Sequence, residues 1–165
     1  MQSYSIQETI AKAITARQTG MAEEAFGILT DLVQLYPENP DINYQMAWTC
    51  DCLGKETEAT HFYEKALQNG ISGDEKRGAM LGLGSTYRCI GEFEKSIQVF
   101  NEAIKEFPAD RSFRVFRSLS LHNLGKSSEA LGELLIQLLD TTSDSSIKTY
   151  DRALRLYTKD VNLLS

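Results

Sequence analysis

The sequence is poor in the residues that build metal centres and disulfide frameworks. Its 165 residues include only two histidines and three cysteines. Neither His61 nor His122 has a histidine or glutamate four residues away, so no helical metal-binding motif is present. The cysteines are odd in number and lack the C-x-x-C spacing of zinc ribbons and thiol oxidoreductases. We therefore expect no metal, no cofactor and no disulfide, and three reduced thiols.

Long apolar runs and excess positive charge are also missing. No stretch approaches the roughly 18 apolar residues of a membrane-spanning helix, and the N-terminus alternates polar and apolar residues instead of forming a signal-peptide core. The 17 basic residues are outnumbered by 23 acidic ones, which gives a net charge of −6. A field of this sign repels phosphate backbones and anionic lipid headgroups. These features predict a cytoplasmic protein that binds neither nucleic acid nor membranes.

No group of reactive side chains indicates an active site. The chain lacks a G-x-S-x-G elbow, and its carboxylates are scattered without a convergent pair. The stretch Gly82-Leu83-Gly84-Ser85 resembles a phosphate loop, but no Lys-Ser/Thr pair follows it and it is predicted to lie inside a helix. Close helix packing explains these glycines. We predict no catalytic residue and no enzymatic activity.

What the chain does have is an internal repeat, marked by glycines spaced 34, 37 and 34 residues apart. Each has a small residue seven positions before it and another five positions after it, and a bulky apolar residue nine positions after it. Antiparallel helices that cross closely need small residues at the crossing, large ones beside it and glycine in the turn. The glycines are Gly20, Gly54, Gly91 and Gly125; the small residues are Ala13, Ala47, Gly84 and Ser118, then Ala25, Ala59, Ser96 and Ala130; the bulky residues are Leu29, Tyr63, Phe100 and Leu134.

This pattern resembles the tetratricopeptide repeat (TPR) family. The third repeat keeps the family positions best, with Leu83, Gly84, Tyr87, Ser96, Phe100, Ala103 and Pro108. The resemblance implies an all-α fold, a right-handed superhelix of about four helical hairpins in one domain over residues 1–165. The repeats would span about 6–39, 40–74, 77–110 and 111–144, followed by a capping helix over 145–163. The family tryptophan of the first helix is replaced in every repeat, by Thr9, Asn43, Met80 and Arg114.

Cap residues predict the helix boundaries within these repeats. Ser5 with Glu8, and Ser72 with Glu75, have capping-box spacing, and Asn39 precedes a proline suited to the first helical position. The 37-residue interval predicts a longer loop over residues 69–73. Together these signals predict nine helices and no strand.

The resemblance implies that the first helix of each hairpin lines a concave face that contacts partner peptides or helices. We call the residues carried over to this face the candidate groove. It is mostly apolar, and contiguous apolar patches on soluble proteins usually mark interaction sites. The candidate groove comprises Ile10, Ile14, Arg17, Tyr44, Trp48, Leu81, Arg88, Val115, Leu119 and His122.

Trp48, the only tryptophan, and Tyr44 are the candidate anchors for a partner. The alternative is that Trp48 only fills space between the first two hairpins. Charged residues such as Arg17 and Arg88 would lie at the rim and select a polar or acidic element. Some family members clamp a C-terminal carboxylate with lysine, arginine and asparagine side chains. In this sequence other residues stand at those positions, which excludes this binding mode. They are Ile10, Ile14, Gln45, Gly78 and Gly82.

Three functional hypotheses follow. The first is a non-enzymatic scaffold that binds a peptide or helix of another protein. The second is a homodimer that buries the groove or the terminal helix, with an intramolecular variant in which residues 146–164 cover the groove. The third is a thiol-based redox protein using Cys52 and Cys89, which the expected helix separation of about 8–10 Å disfavours.

Overall fold

The computed structural model describes residues 5–162, and all regular structure in that range is helical. Ten helical segments replace the nine expected. They are α1 (Ile6–Gln18), α2 (Ala22–Leu35), α3 (Pro40–Cys52), α4 (Glu56–Gln68), α5 (Gly73–Cys89), α6 (Phe93–Glu106), α7 (Ser112–Asn123), α8 (Ser127–Thr141), α9 (Ser145–Lys148) and α10 (Asp151–Tyr157).

The helices form two compact units, one ending at Ile90 and the other beginning at Gly91. In the first unit each helix from α1 to α5 packs against the next, and α3 also contacts both α1 and α5. In the second unit α7 packs against both α6 and α8, and α10 packs against α8. Each unit buries its own apolar core, around Leu29, Ile42 and Tyr63 in the first and around Phe100 and Phe113 in the second.

The repeating glycines terminate the first helix of each hairpin, as predicted. Gly20, Gly54, Gly91 and Gly125 all have φ between 67° and 84°, the left-handed region that side chains disfavour. At Gly54 the backbone N–H bonds Asp51 O at 3.1 Å, and the N–H of the next residue bonds Cys50 O at 2.9 Å. This pair of hydrogen bonds is the Schellman motif. It satisfies the last carbonyls of α3 where the chain reverses direction.

The small-residue positions lie at the helix crossings, which confirms the packing inferred from the repeat. All eight are buried, and Ala13, Ala25, Ala47, Ala59 and Ser96 have no accessible surface. The bulky position nine residues after the glycine is buried in three repeats. The exception, Leu134 of the outermost hairpin, is half-buried.

Two of the three predicted caps are confirmed. Ser5 and Glu8 form a reciprocal capping box. Asn39, which directly precedes Pro40, accepts hydrogen bonds from the N–H groups of Asp41 and Ile42 through its side chain. The capping box at Ser72 is wrong. Ser72 is the N-cap of α5, but its side chain makes no capping hydrogen bond, and Glu75 is exposed.

The predicted long loop over residues 69–73 is also wrong. Only residues 69–72 separate α4 from α5, the same length as the connection between α2 and α3 at residues 36–39. The extra residues instead extend α5, which has 17 residues where α1 and α3 have 13. Because helical residues satisfy one another's backbone groups, an added turn avoids the unpaired polar atoms of a longer loop.

Over the described residues 145–162, two short segments replace the single capping helix expected over 145–163, whose last residue lies outside the described range. They are α9 and α10, separated at Thr149 and Tyr150. The apolar residues of this segment are only partly covered, because Ile147, Leu154 and Val161 are half-buried while Tyr150 is 64% exposed. A one-turn helix has too few internal bonds to extend alone, so packing of α10 against α8 determines where this segment becomes helical.

Candidate functional site

The part of the candidate groove that lies in the first unit is centred on Trp48. This side chain is 44% exposed although it projects from α3, whose other faces are largely buried. Its ring lies 6.0 Å from the Tyr44 ring, centroid to centroid, with 39° between the ring planes. The Arg17 guanidinium carbon lies 4.3 Å from the Trp48 centroid, in cation–π range. Trp48 is therefore held in place by two neighbours and still presents aromatic surface.

Arg17 connects α1 to α3 and is 8% exposed, so the expectation that it forms a rim charge is wrong. Its Nη1 donates to Gln45 O and to Thr49 Oγ1, both at 3.1 Å, and its Nη2 donates to Gln45 Oε1 at 2.7 Å. Burial lowers the pKa of Arg17 from its ordinary value because the charged form loses hydration. A position that the sequence assigns to solvent is thus part of the contact between two helices.

Two aromatic rings of this region fit against glycines of α5. A Cβ atom on Gly78 would overlap the Tyr44 hydroxyl, and one on Gly82 would overlap the Tyr63 ring. This close approach confirms that the glycines around residue 82 serve packing. It also makes Tyr44 a buried residue, 7% exposed, as is Ile10, so neither offers much surface to a partner.

A pocket of about 210 Å³ opens beside Trp48. Arg17, Tyr44 and Gln45 line this pocket, and two carboxylates at the start of α5 line it as well. The lining residues are Ile14, Arg17, Tyr44, Gln45, Trp48, Asp74 and Glu75. The sequence analysis did not predict Asp74 and Glu75 as lining residues of this pocket. They reach it because α5 is longer than the other first helices and begins beside Trp48.

Asp51 joins α3, α4 and α5 through hydrogen bonds. Its carboxylate accepts the Tyr63 hydroxyl at 2.8 Å and the Thr86 hydroxyl at 2.9 Å. Burial raises the pKa of Asp51 above its ordinary value, although both hydrogen bonds act in the opposite direction. Asp51 is therefore a structural residue of the first unit, and its carboxylate is already engaged.

The remaining candidate residues are divided between the two units. Leu81 and Arg88 of α5 are half-buried in the first unit. In the second, Val115 and Leu119 of α7 are 37% and 39% exposed, and His122 is exposed with its Nδ1 3.0 Å from Ser127 Oγ. Val115 and Leu119, four residues apart on α7, therefore retain apolar surface.

Cys50 and Cys52 differ in exposure because residues two positions apart on a helix lie about 200° apart around its axis. Cys50 is fully buried and Cys52 is exposed, and these two thiols and that of Cys89 are free. Burial raises the pKa of Cys50 to about 11. Within residues 5–162 no group of three or more histidine, cysteine or carboxylate residues could hold a metal ion.

A larger cleft that the sequence analysis missed lies between α1 and α2. It has a volume of about 600 Å³ and is lined mainly by apolar residues of the two helices. Lys12, where the family pattern has leucine, was a signal that this face differs from a buried hairpin face. The lining residues are Ile6, Glu8, Thr9, Lys12, Ile28, Asp31, Leu32, Leu35 and Tyr36.

Helical hairpins with glycine turns and small residues at their crossings define the helical-repeat class of proteins. A family model described as tetratrico peptide repeat matches residues 40–161, so the chain belongs to the tetratricopeptide repeat family. Members of this family bind other proteins or peptides and are generally scaffolds without enzymatic activity. Among residues 5–162, every helix is too short or too polar to span a lipid bilayer.

Comparison with known proteins agrees with this membership. The chain is 25% identical over 153 residues to Photosystem I assembly protein Ycf3 of Synechococcus sp. (strain CC9605), covering 89% of this chain and 83% of the relative. It is 30% identical over 77 residues to Superkiller protein 3 of Saccharomyces cerevisiae, covering 47% of this chain and 5% of that protein.

Solved structures share the fold at low sequence identity. YrrB, described as a TPR protein with an unusual peptide-binding site, matches with a TM-score of 0.70 and 17% identity, over 93% of this chain and 78% of that chain. MamA from Desulfovibrio magneticus RS-1 matches with a TM-score of 0.71 and 16% identity, over 94% of this chain and 92% of that chain. These similarities confirm the all-α TPR fold.

Proposed function

We propose that this protein is a non-enzymatic interaction module that binds a peptide or helix of another protein, with Trp48 as the anchor. The observation that carries the proposal is the half-exposed Trp48 ring, which Arg17 and Tyr44 hold at the edge of a pocket. An aromatic side chain whose position is fixed before binding loses little conformational entropy on binding, so its contact area contributes efficiently to affinity.

The relatives support this class of function. Ycf3 is named as an assembly protein, and YrrB is described as having a peptide-binding site. Both descriptions imply contacts with other polypeptides. For the present chain, the apolar surface of Ile14 and Trp48 would receive the partner, while the buried Tyr44 would support the tryptophan.

The test compares proteins captured from the source cell by the wild type, Trp48→Ala and Tyr150→Ala. Tyr150 is the matched control because it is an exposed aromatic residue of the second unit. We expect Trp48→Ala to lose partners that the wild type and Tyr150→Ala both retain, as measured by quantitative mass spectrometry. Truncation of a tryptophan at the centre of an interface typically costs about 2 kcal/mol or more of binding free energy.

Chemical denaturation of the same variants separates an anchor from a core residue. Because Trp48 is half-exposed, we expect Trp48→Ala to lower the free energy of unfolding by about 1 kcal/mol, mostly from the lost cation–π contact. A loss of about 3 kcal/mol or more, as for a buried aromatic residue, would show that Trp48 fills the core and would contradict the anchor role.

A homodimer is the second candidate, favoured by exposed leucines in the second unit. Leu131 and Leu138 of α8 and Leu156 of α10 are between 45% and 62% exposed. Residues 131 and 138 are seven positions apart and therefore share one face of the helix. Sedimentation of the wild type and Leu138→Glu tests this candidate, because a charge on a buried dimer face shifts the protein toward the monomer.

A further inference from the structure

Arg17 forms no ion pair with a carboxylate in the described part of the chain. A guanidinium has five N–H donors. Three donate to neutral acceptors, namely Gln45 O, Gln45 Oε1 and Thr49 Oγ1. No carboxylate of residues 5–162 lies in ion-pair distance of Arg17, and the Nε–H and one Nη2–H make no hydrogen bond there. Arginine is rarely this buried without an anion beside it.

Two carboxylates, those of Asp74 and Glu75, line the pocket itself, and neither forms an ion pair with Arg17. Asp51 accepts the hydroxyls of Tyr63 and Thr86. Asp74 and Glu75 lie in the first turn of α5, where negative charge complements the helix dipole, and Asp74 is 3.4 Å from Arg77. Both are exposed, so water screens them more strongly than it screens the buried guanidinium.

The pocket offers a second donor besides Arg17. Gln45 is 7% exposed and lines the pocket, and its Oε1 accepts Arg17 Nη2. Its Nε2 group donates to no residue among 5–162. Arg17 and Gln45, each with N–H groups that make no hydrogen bond to residues 5–162, therefore both line the pocket beside Trp48. Donors without acceptors in this number fit an anionic ligand with two oxygens.

We propose that this pocket binds the carboxylate of an aspartate or glutamate side chain from the partner, with Arg17 and Gln45 as donors. The volume of about 210 Å³ is enough for one such side chain. Its methylene groups would lie along Ile14 and Trp48, which explains why the ring is exposed next to a charge. The inference rests on the proposed binding role of the Trp48 region and specifies which partner residue this pocket recognises.

The direct test uses wild-type protein and peptides that differ in one side chain. The probe is acetyl-Ala-Glu-Leu-Ala-amide, and the matched peptides replace Glu by Gln or Lys. The indole N–H resonance of Trp48, the only tryptophan, reports binding in two-dimensional NMR spectra. We expect a saturable shift with the Glu peptide, with a Kd of about 1 mM, and affinity about tenfold weaker for Gln and weaker again for Lys.

A fourth peptide, acetyl-Ala-Gln-Leu-Ala with a free C-terminus, distinguishes a side-chain carboxylate from a terminal one. We expect it to bind as weakly as the amidated Gln peptide. Equal or tighter binding of this peptide than of the Glu peptide would overturn the assignment to a side chain. Absence of a saturable Trp48 shift with the Glu peptide, or equal affinity for Glu and Gln, would overturn the carboxylate site altogether.

Variants identify the residue responsible for the preference. Arg17→Gln should abolish the preference for Glu over Gln, whereas Lys12→Gln, which removes the same charge from an exposed position of α1, should preserve it. If Arg17→Gln fails to fold, the double variant Asp74→Asn with Glu75→Gln provides the test. It should tighten binding of the Glu peptide about threefold without changing the Gln peptide, because two repelling charges are removed.

The outcomes for this inference and for the proposed function are separable. If Trp48→Ala loses the cellular partners while Arg17→Gln and the acidic peptides show no charge preference, the anchor role remains and the carboxylate site is wrong. If the peptides show the preference but Trp48→Ala keeps its partners, the pocket binds carboxylates and the anchor role of Trp48 is wrong.

Discussion

The three cysteines show how burial separates residues of one type. Cys50 is enclosed between helices of the first unit, and burial raises its pKa to about 11, whereas Cys52 and Cys89 are exposed. Alkylation requires the thiolate, so both the small thiolate population and the lack of access protect Cys50.

We predict that iodoacetamide at about pH 8 labels Cys52 and Cys89 of the native protein at least about a hundredfold faster than Cys50. Peptide mass spectrometry over a time course measures the three rates. Labelling in denaturant is the control, in which all three thiols should react alike. A native rate for Cys50 equal to that of Cys52 would contradict the buried placement.

Asp51 makes the stability of the first unit depend on pH. Because burial raises its pKa in the folded state, the folded protein holds a proton more tightly than the unfolded chain does. The stability contributed by that proton is fully present below the unfolded pKa of about 3.9 and is lost as the pH rises through the folded pKa.

We predict that Asp51→Asn, which does not ionise, becomes more stable relative to the wild type as the pH rises from about 4 to 7. Urea unfolding at both pH values measures the difference. Asp41→Asn is the control, since Asp41 is exposed in the first turn of α3 and its carboxylate is not enclosed between helices. A difference that shrinks with rising pH would show that the carboxylate of Asp51 is stabilised as an anion.

At the scale of the helices, the turn glycines and the helical glycines have opposite requirements. Gly54 has a φ of +67°, where a side chain strains the backbone whatever space surrounds it. Gly27 lies inside α2 with nothing within 4 Å of an added Cβ. Alanine at the two positions therefore separates backbone conformation from packing.

We predict that Gly54→Ala lowers the free energy of unfolding by about 1–2 kcal/mol, while Gly27→Ala raises it by about 0.5–1 kcal/mol. Equilibrium denaturation of both variants under one set of conditions provides the measurement. Equal effects of the two substitutions would show that the Gly54 turn tolerates a side chain and is not the reason for the repeating glycine.

Two of the four residues that replace the family tryptophan, Asn43 and Arg114, bond to the chain entering their helices. Asn43 Nδ2 donates to Pro37 O at 2.9 Å, and Arg114 Nη1 donates to Pro108 O at 3.1 Å. In both cases the side chain bonds to the carbonyl of a proline in the short loop before its own helix, and so holds that loop in place. The replacement exchanges apolar packing for a hydrogen bond to the entering chain, which a column of sequence positions does not reveal.

Over the whole molecule, the division into two units predicts separate responses to mutation. Trp48 reports only on the first unit, while the helical circular dichroism signal reports on both. In the second unit α10 approaches α8 so closely that a Cβ on Gly132 would overlap the carbonyl oxygen of Thr158. A substitution there perturbs one unit without touching the other's core.

We predict that Gly132→Leu destabilises the second unit by about 1–3 kcal/mol through overpacking. The thermal transition followed by circular dichroism should then begin at a lower temperature, while the Trp48 fluorescence transition stays in place. Leu131→Ala, at an exposed neighbouring position, is the control and should change neither transition. If both probes shift together with Gly132→Leu, the units unfold as one cooperative body.

The sequence alone determined the features that depend on spacing along the chain. Glycines such as Gly54 and small residues such as Ala47 are required at one turn or one helix crossing in every repeat, so the glycine spacing exposed them, and Asn39 was recognised by its place before a proline. Each of these requirements concerns one turn or one pair of neighbouring helices. The all-α fold and the family followed from these positions together.

Only the tertiary structure decided the features that depend on distant partners. Arg17 bonds residues 28 and 32 positions away, so its burial was invisible in the sequence. Tyr44 is buried because a glycine of α5 admits its ring, and the final segment is helical where it packs on α8. A residue's type and period fix its local conformation, but its access to solvent depends on which helix lies against it. For that reason the repeat pattern predicted which residues share a helix face, and the packing decided that Trp48 is exposed while Arg17 and Tyr44 are buried.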